Sequence, residues 1–262
     1  MTAEGRMLLR AFSQQRATDT MCHLGTWPYR LTATADADDL RAYATRYDLR
    51  ALWVSHLSAL FGFDTHTGNE AALTACADDD LFRVFAVIDP SETGWRSELA
   101  WAASAGACGV RVAPGFHHYP PARVAAVIDV ASEHGLTVQL IARMDDARVR
   151  HPLSPAHDLD VHRIADLVRA RPEHPLVISG LNAADWQELG RHLGDAVPPA
   201  VRLDLWHLNG PNGIVDRLEP ERWVFGSGLP VQTPEATMLQ LMASDLPPDA
   251  LRTIAGSHTG TR

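Results

Sequence analysis

The chain has 262 residues, of which 46% are apolar and 21% charged, and it contains 18 Gly and 17 Pro. This is the composition of a globular protein, and it excludes a disordered, collagen-like or disulfide-stapled chain. All 23 basic residues are Arg, because the sequence contains no Lys. Schiff-base chemistry, a pyridoxal phosphate linkage, the phosphate-loop lysine and a carboxylated-lysine metal bridge are therefore excluded.

The charge and the cysteines limit the partners and the compartment. The formal charge is -9, whereas nucleic-acid binding requires a basic face. The 3 Cys share no metal-ligand spacing, which favours a reducing compartment. No apolar run approaches the roughly 18 residues that span a bilayer. We expect a cytoplasmic protein that binds neither nucleic acid nor membrane.

Short apolar segments alternate with amphipathic segments along the chain. The apolar segments are typical of strands that are buried on both faces, as in a parallel sheet. In chain order, the predicted strands span residues 16–23, 51–56, 82–88, 109–114, 136–142, 175–179, 200–206 and 222–227. The predicted helices span residues 38–47, 70–77, 95–105, 121–134, 160–171, 183–192, 213–217 and 234–243.

This alternation predicts an α/β fold, a single (β/α)8 TIM barrel. No linker or low-complexity tract divides the chain, so we expect one domain over residues 1–262. In such barrels the chemistry lies at the carboxyl ends of the strands. The connection after the fifth strand, residues 143–159, is much longer than the usual two to six or so residues. We expect this loop to be a lid, a binding loop or a contact surface.

Polar side chains at the predicted strand ends form the candidate site. The candidates for catalysis are His23, Arg111, His117, His118, Arg143 and His207. The candidates for substrate binding are Arg111, Arg143, Asp145 and Trp206. Histidine can act as a general base near neutral pH, and Arg can hold a carboxylate with two parallel hydrogen bonds. The set predicts a pocket for a small anionic molecule.

The sequence has no recognisable metal or nucleophile motif. It contains no His-x-His pair and no His-Glu-x-x-His helix, although a catalytic metal needs three or so converging ligands. Ser227 lies between two glycines, but the surrounding residues do not complete a nucleophile elbow, and we interpret the segment as a tight turn. We expect neither a metal nor another cofactor.

Segments 19–30, 68–70, 87–90, 109–117, 225–230 and 254–258 follow one another in an order that covers almost the whole chain. Together they resemble the amidohydrolase superfamily, in its amidohydrolase-related branch. The order of the segments is more specific than any one of them. The resemblance implies a TIM barrel, and an activity that hydrolyses, decarboxylates or hydrates small carbonyl compounds with a metal-activated water.

Most of that family's metal site is replaced in this chain. Where the first strand of the family has His-x-His, this sequence has Met21 and then His23, so only the second histidine is kept. The histidines of strands five and six fall near Ile141 and Ser179, and the catalytic Asp is Gly228. Glycine can neither bind a metal nor accept a proton, and a thioether is a poor ligand for a hard divalent ion.

Three interpretations remain open. The first, which we favour, is a barrel without chemistry of its own. It would either pair with a metal-binding relative in a hetero-oligomer and assist it, or hold a homo-oligomer together. The second is a metal-independent hydrolase or lyase for a small anionic carbonyl compound, with His as general base and Arg as oxyanion stabiliser. The third is a metal site rebuilt from His23, Asp204 and His207.

Overall fold

The computed structural model describes residues 2–30, 33–62, 64–194, 197–208 and 219–256. The strands are β1 Thr18–Thr26, β2 Thr34–Ala35, β3 Ala51–His56, β4 Phe82–Val87, β5 Gly109–Val112, β6 Thr137–Ile141, β7 Leu176–Ser179, β8 Val201–Asp204 and β9 Trp223–Val224. The helices are α1 Ala3–Ser13, α2 Ala37–Tyr47, α3 Ser58–Phe61, α4 Thr65–Ala75, α5 Trp95–Ser104, α6 Pro114–His117, α7 Val124–Glu133, α8 Val161–Ala170, α9 Ala183–His192, α10 Pro234–Met242 and α11 Pro248–Gly256.

The strands form a curled sheet in the order β2-β1-β3-β4-β5-β6-β7-β8-β9. All neighbouring pairs are parallel except β1 and β2. The segment after β9 returns to β1, where Thr20 N donates to Phe225 O (2.9 Å) and Gly228 N donates to Met21 O (2.8 Å). These bonds join the last strand to the first, so the predicted (β/α)8 barrel is confirmed.

The predicted strands and most predicted helices are confirmed, with shifted ends. Helix α4 begins at Thr65 rather than residue 70, because the Asp64 side chain caps it by accepting a hydrogen bond from Thr67 N (2.8 Å). The prediction missed the short strand β2 and the helices α1, α3, α6 and α11. The predicted helix at 213–217 lies outside the described residues. None of the helices that the structure describes is long and apolar enough to cross a membrane.

Two kinds of core hold the barrel together. The larger core lies between the outer face of the sheet and the helices, and it includes Leu52, Val110, Val138 and Ile164, all of them fully buried. The inner face of the barrel is layered. Its lower layer is a small apolar cluster in which the rings of Trp53 and Phe85 stack with their centroids 4.4 Å apart.

Candidate functional site

A row of polar side chains crosses the middle layer of the barrel. Because alternate residues of a strand face the barrel interior, each of five strands contributes one polar residue from its inward positions. These residues are Ser55 on β3, Arg111 on β5, Gln139 on β6, Ser179 on β7 and Asp204 on β8, and all are buried. Buried polar groups need hydrogen-bond partners, and here they supply many of them for one another.

Arg111 is the centre of this row. Its Nε donates to Gln139 Oε1 and one Nη1 donor binds Ser55 Oγ, both at 2.7 Å. Its other donors bind three main-chain oxygens, those of Cys22 (2.7 Å), Trp53 (2.9 Å) and Thr20 (3.1 Å). A guanidinium has five N–H groups, so none is left for a substrate. Burial lowers the pKa of Arg111 to about 10, which still leaves it charged at neutral pH.

The main chain of β1 explains why so many carbonyl oxygens here accept hydrogen bonds from Arg111. The register between β1 and β3 shifts between Asp19 and Cys22, which marks a bulge. A bulge disrupts the ladder locally and leaves main-chain groups without their regular partners. Arg111 satisfies carbonyl oxygens on both sides of this irregularity, so the geometry gives it a structural role. Its predicted role as a substrate clamp would require some of these bonds to break.

Three buried polar atoms near the upper part of the barrel have no hydrogen-bond partner among the described residues. They are His23 Nε2, Asp204 Oδ2 and Trp206 Nε1. The ring centroids of His23 and Trp206 are 6.4 Å apart. His23 Nδ1 lies 3.1 Å from Ser55 Oγ. The structure therefore brings two of the predicted site residues, His23 and Trp206, close together.

The protonation of these groups follows from their burial. Burial lowers the pKa of His23 well below its usual value, and the charge of Arg111 acts in the same direction. Burial also raises the pKa of Asp204 to about 6, although hydrogen bonds from Ser179 and from main-chain N–H groups oppose the shift. At neutral pH the histidine is neutral, and the carboxyl group is close to its titration range.

An apolar cluster fills the mouth of the barrel, above the polar row. We define the mouth cluster as Met21, Trp27, Ala33, Leu57, Ala59, Leu60, Val87, Ala113, Phe116, Ile141, Met144, Ala156, Trp206 and Val231, all of them buried. Tyr29 and Phe61 pack against it from the rim. The ring of Phe61 lies 4.9 Å from Phe116 and 5.4 Å from Trp27, both edge to face. The carboxyl ends of several strands are thus covered by packed side chains.

The residues at the family's metal position do not fit a metal ion. A Cβ atom built on Gly228 would lie only 1.7 Å from Trp206 Nε1, so the indole fills the volume into which an Asp at this position would project. Over the described ranges, no group of three or more His, Cys, Asp or Glu side chains could hold a metal. His23, Asp204 and His207 are not such a group, and the third interpretation of the sequence has no support here.

Arg143 and His207 meet at a different place, on the side of the mouth. Both line a cavity of about 300 Å³ under the long loop. Arg143 is bound by Asp158 (2.7 Å) and Asp185 (3.0 Å). Asp145, a predicted substrate-binding residue, instead accepts a hydrogen bond from Arg150 Nε at 2.5 Å.

The two adjacent histidines predicted as catalytic residues lie in other surroundings. His117 ends α6 and its Nδ1 is 3.8 Å from Asp89 Oδ2. Burial lowers the pKa of His117, which the charge of Asp89 partly opposes. His118 is exposed, and its ring stacks on His157 of the long loop at 5.4 Å. The predicted catalytic residues therefore occupy four environments rather than one pocket.

Sequence reasoning missed Ser55 and Gln139 as parts of the site. Gln139 donates to Thr20 O (3.0 Å) and Ser179 Oγ (2.8 Å) while it accepts from Arg111. The available signal was a polar residue at an inward position of an otherwise apolar strand. Such a residue must find partners inside the barrel, because an unpaired buried amide is costly.

Comparison with known proteins agrees on the fold. No protein-family model and no curated protein matches the sequence significantly. An amidohydrolase-type protein of Staphylococcus aureus has a similar structure, with a TM-score of 0.68 and 11% identity over 91% of this chain and 96% of that one. The 2,6-dihydroxybenzoate decarboxylase of Rhizobium gives a TM-score of 0.59 and 14% identity with the same two coverages. Enamidase, a member of the amidohydrolase superfamily, gives a TM-score of 0.56 and 15% identity over 87% of this chain and 64% of that one.

These similarities define the class of fold. The chain is an α/β barrel with the fold of amidohydrolase-superfamily structures, as the motifs of the sequence predict. Because the identities are low, they define the architecture, and activity has to be argued from the side chains at the mouth.

Proposed function

We propose that this chain is a non-catalytic barrel that assists a metal-bearing relative of the same fold. The observation that carries the proposal is the mouth cluster. In barrels of this type the reaction takes place at the carboxyl ends of the strands, and here that region is occupied by buried apolar side chains.

Two features of the polar residues support the same proposal. Trp206 fills the volume beside Gly228, where the family resemblance places the catalytic Asp. Every N–H of Arg111 is already bound by the protein itself. A substrate would therefore have to displace packed side chains and break internal hydrogen bonds, both of which cost free energy.

A metal-independent hydrolase or lyase is the second candidate, and a specific observation favours it. Buried polar groups without partners are uncommon in native proteins, and each calls for an explanation. His23 Nε2, Asp204 Oδ2 and Trp206 Nε1 are three such atoms near the mouth. A small carbonyl compound could accept from the indole N–H while Asp204, with a pKa of about 6, exchanges a proton.

The test combines the purified chain with a purified metal-bearing barrel from the same genome. Native mass spectrometry measures complex formation, and turnover of lactones and small aromatic acids is followed for each protein alone and for the mixture. We expect a complex, no turnover by this chain alone, and higher or longer-lasting activity of the relative in the mixture. The variant His23→Ala should leave all three results unchanged.

Two outcomes would contradict the assisting role. Turnover by the isolated chain that persists with a chelator and is abolished by Asp204→Asn would establish the second candidate instead. Failure to form a complex at micromolar concentrations, together with unchanged activity of the relative, would remove the basis for an assisting subunit.

A further inference from the structure

A separate cavity lies at the edge of the barrel mouth. It has a volume of about 300 Å³ and lies where the chain leaves β6, β7 and β8. Arg143, Asn182 and His207 follow those three strands, and Arg148 and Asp158 close the cavity from the long loop. This volume is at the lower end for small-molecule sites, which favours a small ligand.

The acceptors around the cavity are already engaged. Asp158 binds both Arg143 and Arg150. Asp146 accepts from Arg148 through both carboxylate oxygens, at distances between 2.5 and 3.0 Å. Each carboxylate that lines the cavity therefore has a guanidinium partner within the protein.

The donors, in contrast, are only partly used. Arg143 donates through Nε and Nη1, to Asp158, Asp185 and Gly180 O, whereas its Nη2 makes no hydrogen bond to the described part of the chain. Asn182 uses its Oδ1 as the cap of α9, which leaves its amide Nδ2 without a bond among the same residues. The side chain of Arg148 is 80% exposed, so it can move at small cost.

His207 adds a buried ring to the lining of this cavity. It is only 2% exposed, and its sole side-chain neighbour within hydrogen-bond range in the described chain is Gln232 Nε2 at 3.4 Å. Burial, together with the positive charge of Arg143, lowers the pKa of His207 to about 4, although Asp146, Asp158 and a hydrogen bond to the Met144 main chain oppose the shift. The ring is therefore neutral at pH 7.

We propose that this cavity binds a small carboxylate beside the His207 ring, with Arg143, Asn182 and Arg148 as the donors. An oxyanion supplies the acceptors that these groups lack, and Arg binds carboxylates in good hydrogen-bond geometry. The site lies beside the mouth cluster and needs none of its side chains to move. It goes beyond the assisting role, because it would give the barrel a ligand of its own whether or not a partner is bound.

The test uses the isolated full chain and sodium malonate as the probe. Calorimetry measures affinity, and NMR of the His207 ring measures its pKa with and without malonate. An anion beside the ring favours the imidazolium, so we expect the pKa of His207 to rise by about one unit or more. Arg148→Gln should weaken binding about three- to tenfold, and Arg143→Gln should weaken it further.

Arg169→Gln is the matched control, since Arg169 is also a partly exposed arginine paired with a nearby Asp, but on α8. It should bind malonate with the affinity of the unmodified chain. The proposal is wrong if malonate leaves the His207 titration unchanged and gives no binding heat, or if Arg143→Gln and Arg148→Gln both bind it normally. Inorganic phosphate that binds at this site in preference to malonate would overturn the carboxylate assignment. None of these results depends on a partner, so failure here leaves the assisting role untouched.

Discussion

Gly228 and Trp206 show how one residue can determine what fills the barrel mouth. Gly228 has a φ of +75°, and any Cβ at this position would overlap the indole. An Asp at this position, as the family resemblance would place there, could therefore not fit beside the Trp206 indole. The two positions must change together for either arrangement to pack well.

This coupling predicts the result of a double-mutant cycle. We expect Gly228→Ala to lower the free energy of unfolding by about 2–4 kcal/mol through overpacking and left-handed strain. The same substitution in a Trp206→Ala background should cost at least about 1 kcal/mol less, because the clash is gone. Urea unfolding of the four proteins measures the cycle.

Gly135→Ala is the control for backbone strain alone. Gly135 has a φ of +65°, but a Cβ there would meet nothing within 4 Å. Gly135→Ala should lower the free energy of unfolding by about 1 kcal/mol, because an alanine is strained in the left-handed conformation. If Gly228→Ala were no more destabilising than Gly135→Ala, the steric argument for Trp206 would be wrong.

Asp204 gives a pH-dependent prediction at the same scale. Its pKa is about 6 in the folded protein against an ordinary value of 3.8, so the folded state binds its proton more tightly than the unfolded state. The stability that protonated Asp204 provides is present below pH 3.8 and is lost as the pH rises through 6. The Asp204→Asn variant does not lose stability in this pH range, because an amide does not ionise. We expect its free energy of unfolding at pH 7 to exceed that of the unmodified chain by up to about 3 kcal/mol.

The measurement is the difference in unfolding free energy between the variant and the unmodified chain from pH 4 to pH 8. The difference should shrink towards zero at the acid end. Asp129→Asn serves as the opposite case, because Arg171 lowers the pKa of Asp129 and this variant should be the less stable one at neutral pH. A difference for Asp204→Asn that grows on acidification would contradict the prediction.

At the scale of elements, the middle of the long loop over the mouth is held by charge, whereas Met144 and Ala156 near its ends pack in the mouth cluster. Arg150 donates to Asp145 Oδ1 (2.5 Å), to Asp145 O (2.9 Å), to Ala156 O (3.1 Å) and to Asp158. Val149 and Leu153 of the same loop are 66% and 79% exposed, so they add little packing. One arginine thus connects the two ends of the loop.

We expect Arg150→Gln to loosen this loop without unfolding the barrel. Amide hydrogen exchange between residues 144 and 158 should become at least about tenfold faster, since the loop would open locally. Arg148→Gln should change the exchange little, because within the described residues the Arg148 side chain binds its near neighbour Asp146 and no other group. If the loop amides exchanged equally slowly in the unmodified chain and in Arg150→Gln, interactions other than those of Arg150 would hold the loop.

The elements themselves were largely predictable, whereas their side-chain partners were not. Buried strands such as Thr137–Ile141 are marked by continuous apolar residues, and the alternation with helices fixes the barrel topology. Helix α1 was missed because its apolar residues pack on α10, which is more than 200 residues away in sequence. The role of Arg111 depends on a bulge in β1, a main-chain irregularity that no sequence pattern displays.

The candidate site was predictable only in part for the same physical reason. Residues at strand ends can be placed at the mouth from topology alone, and Arg143 and His207 do meet there. Whether a side chain points to solvent, to a cavity or to a carbonyl depends on three-dimensional packing. His118 illustrates this, because its ring stacks on His157 of a loop whose path the sequence did not indicate.

For the whole molecule, the closure between β1 and the segment after β9 connects the two ends of the barrel. The buried Asp19 carboxylate accepts hydrogen bonds from Tyr43 Oη (2.7 Å), Ser227 N (2.9 Å) and Met21 N (3.1 Å). It therefore ties the first strand both to α2 and to the turn near the end of the chain. A barrel closed in this way cannot lose one part without exposing main-chain groups of its neighbours.

We therefore expect the chain to unfold as one cooperative unit. Tryptophans report on different regions, with Trp53 at the lower end of the barrel, Trp95 on α5 and Trp206 in the mouth. Fluorescence and far-UV circular dichroism should give coincident transitions in urea.

Asp19→Ala should move the midpoint of unfolding to a lower urea concentration by breaking the closure, yet leave a single transition. Arg163→Ala, an exposed change on α8, should leave the midpoint in place. Two separate transitions in the unmodified chain would show that the barrel is divided into independent halves, contrary to the single domain that the sequence predicts.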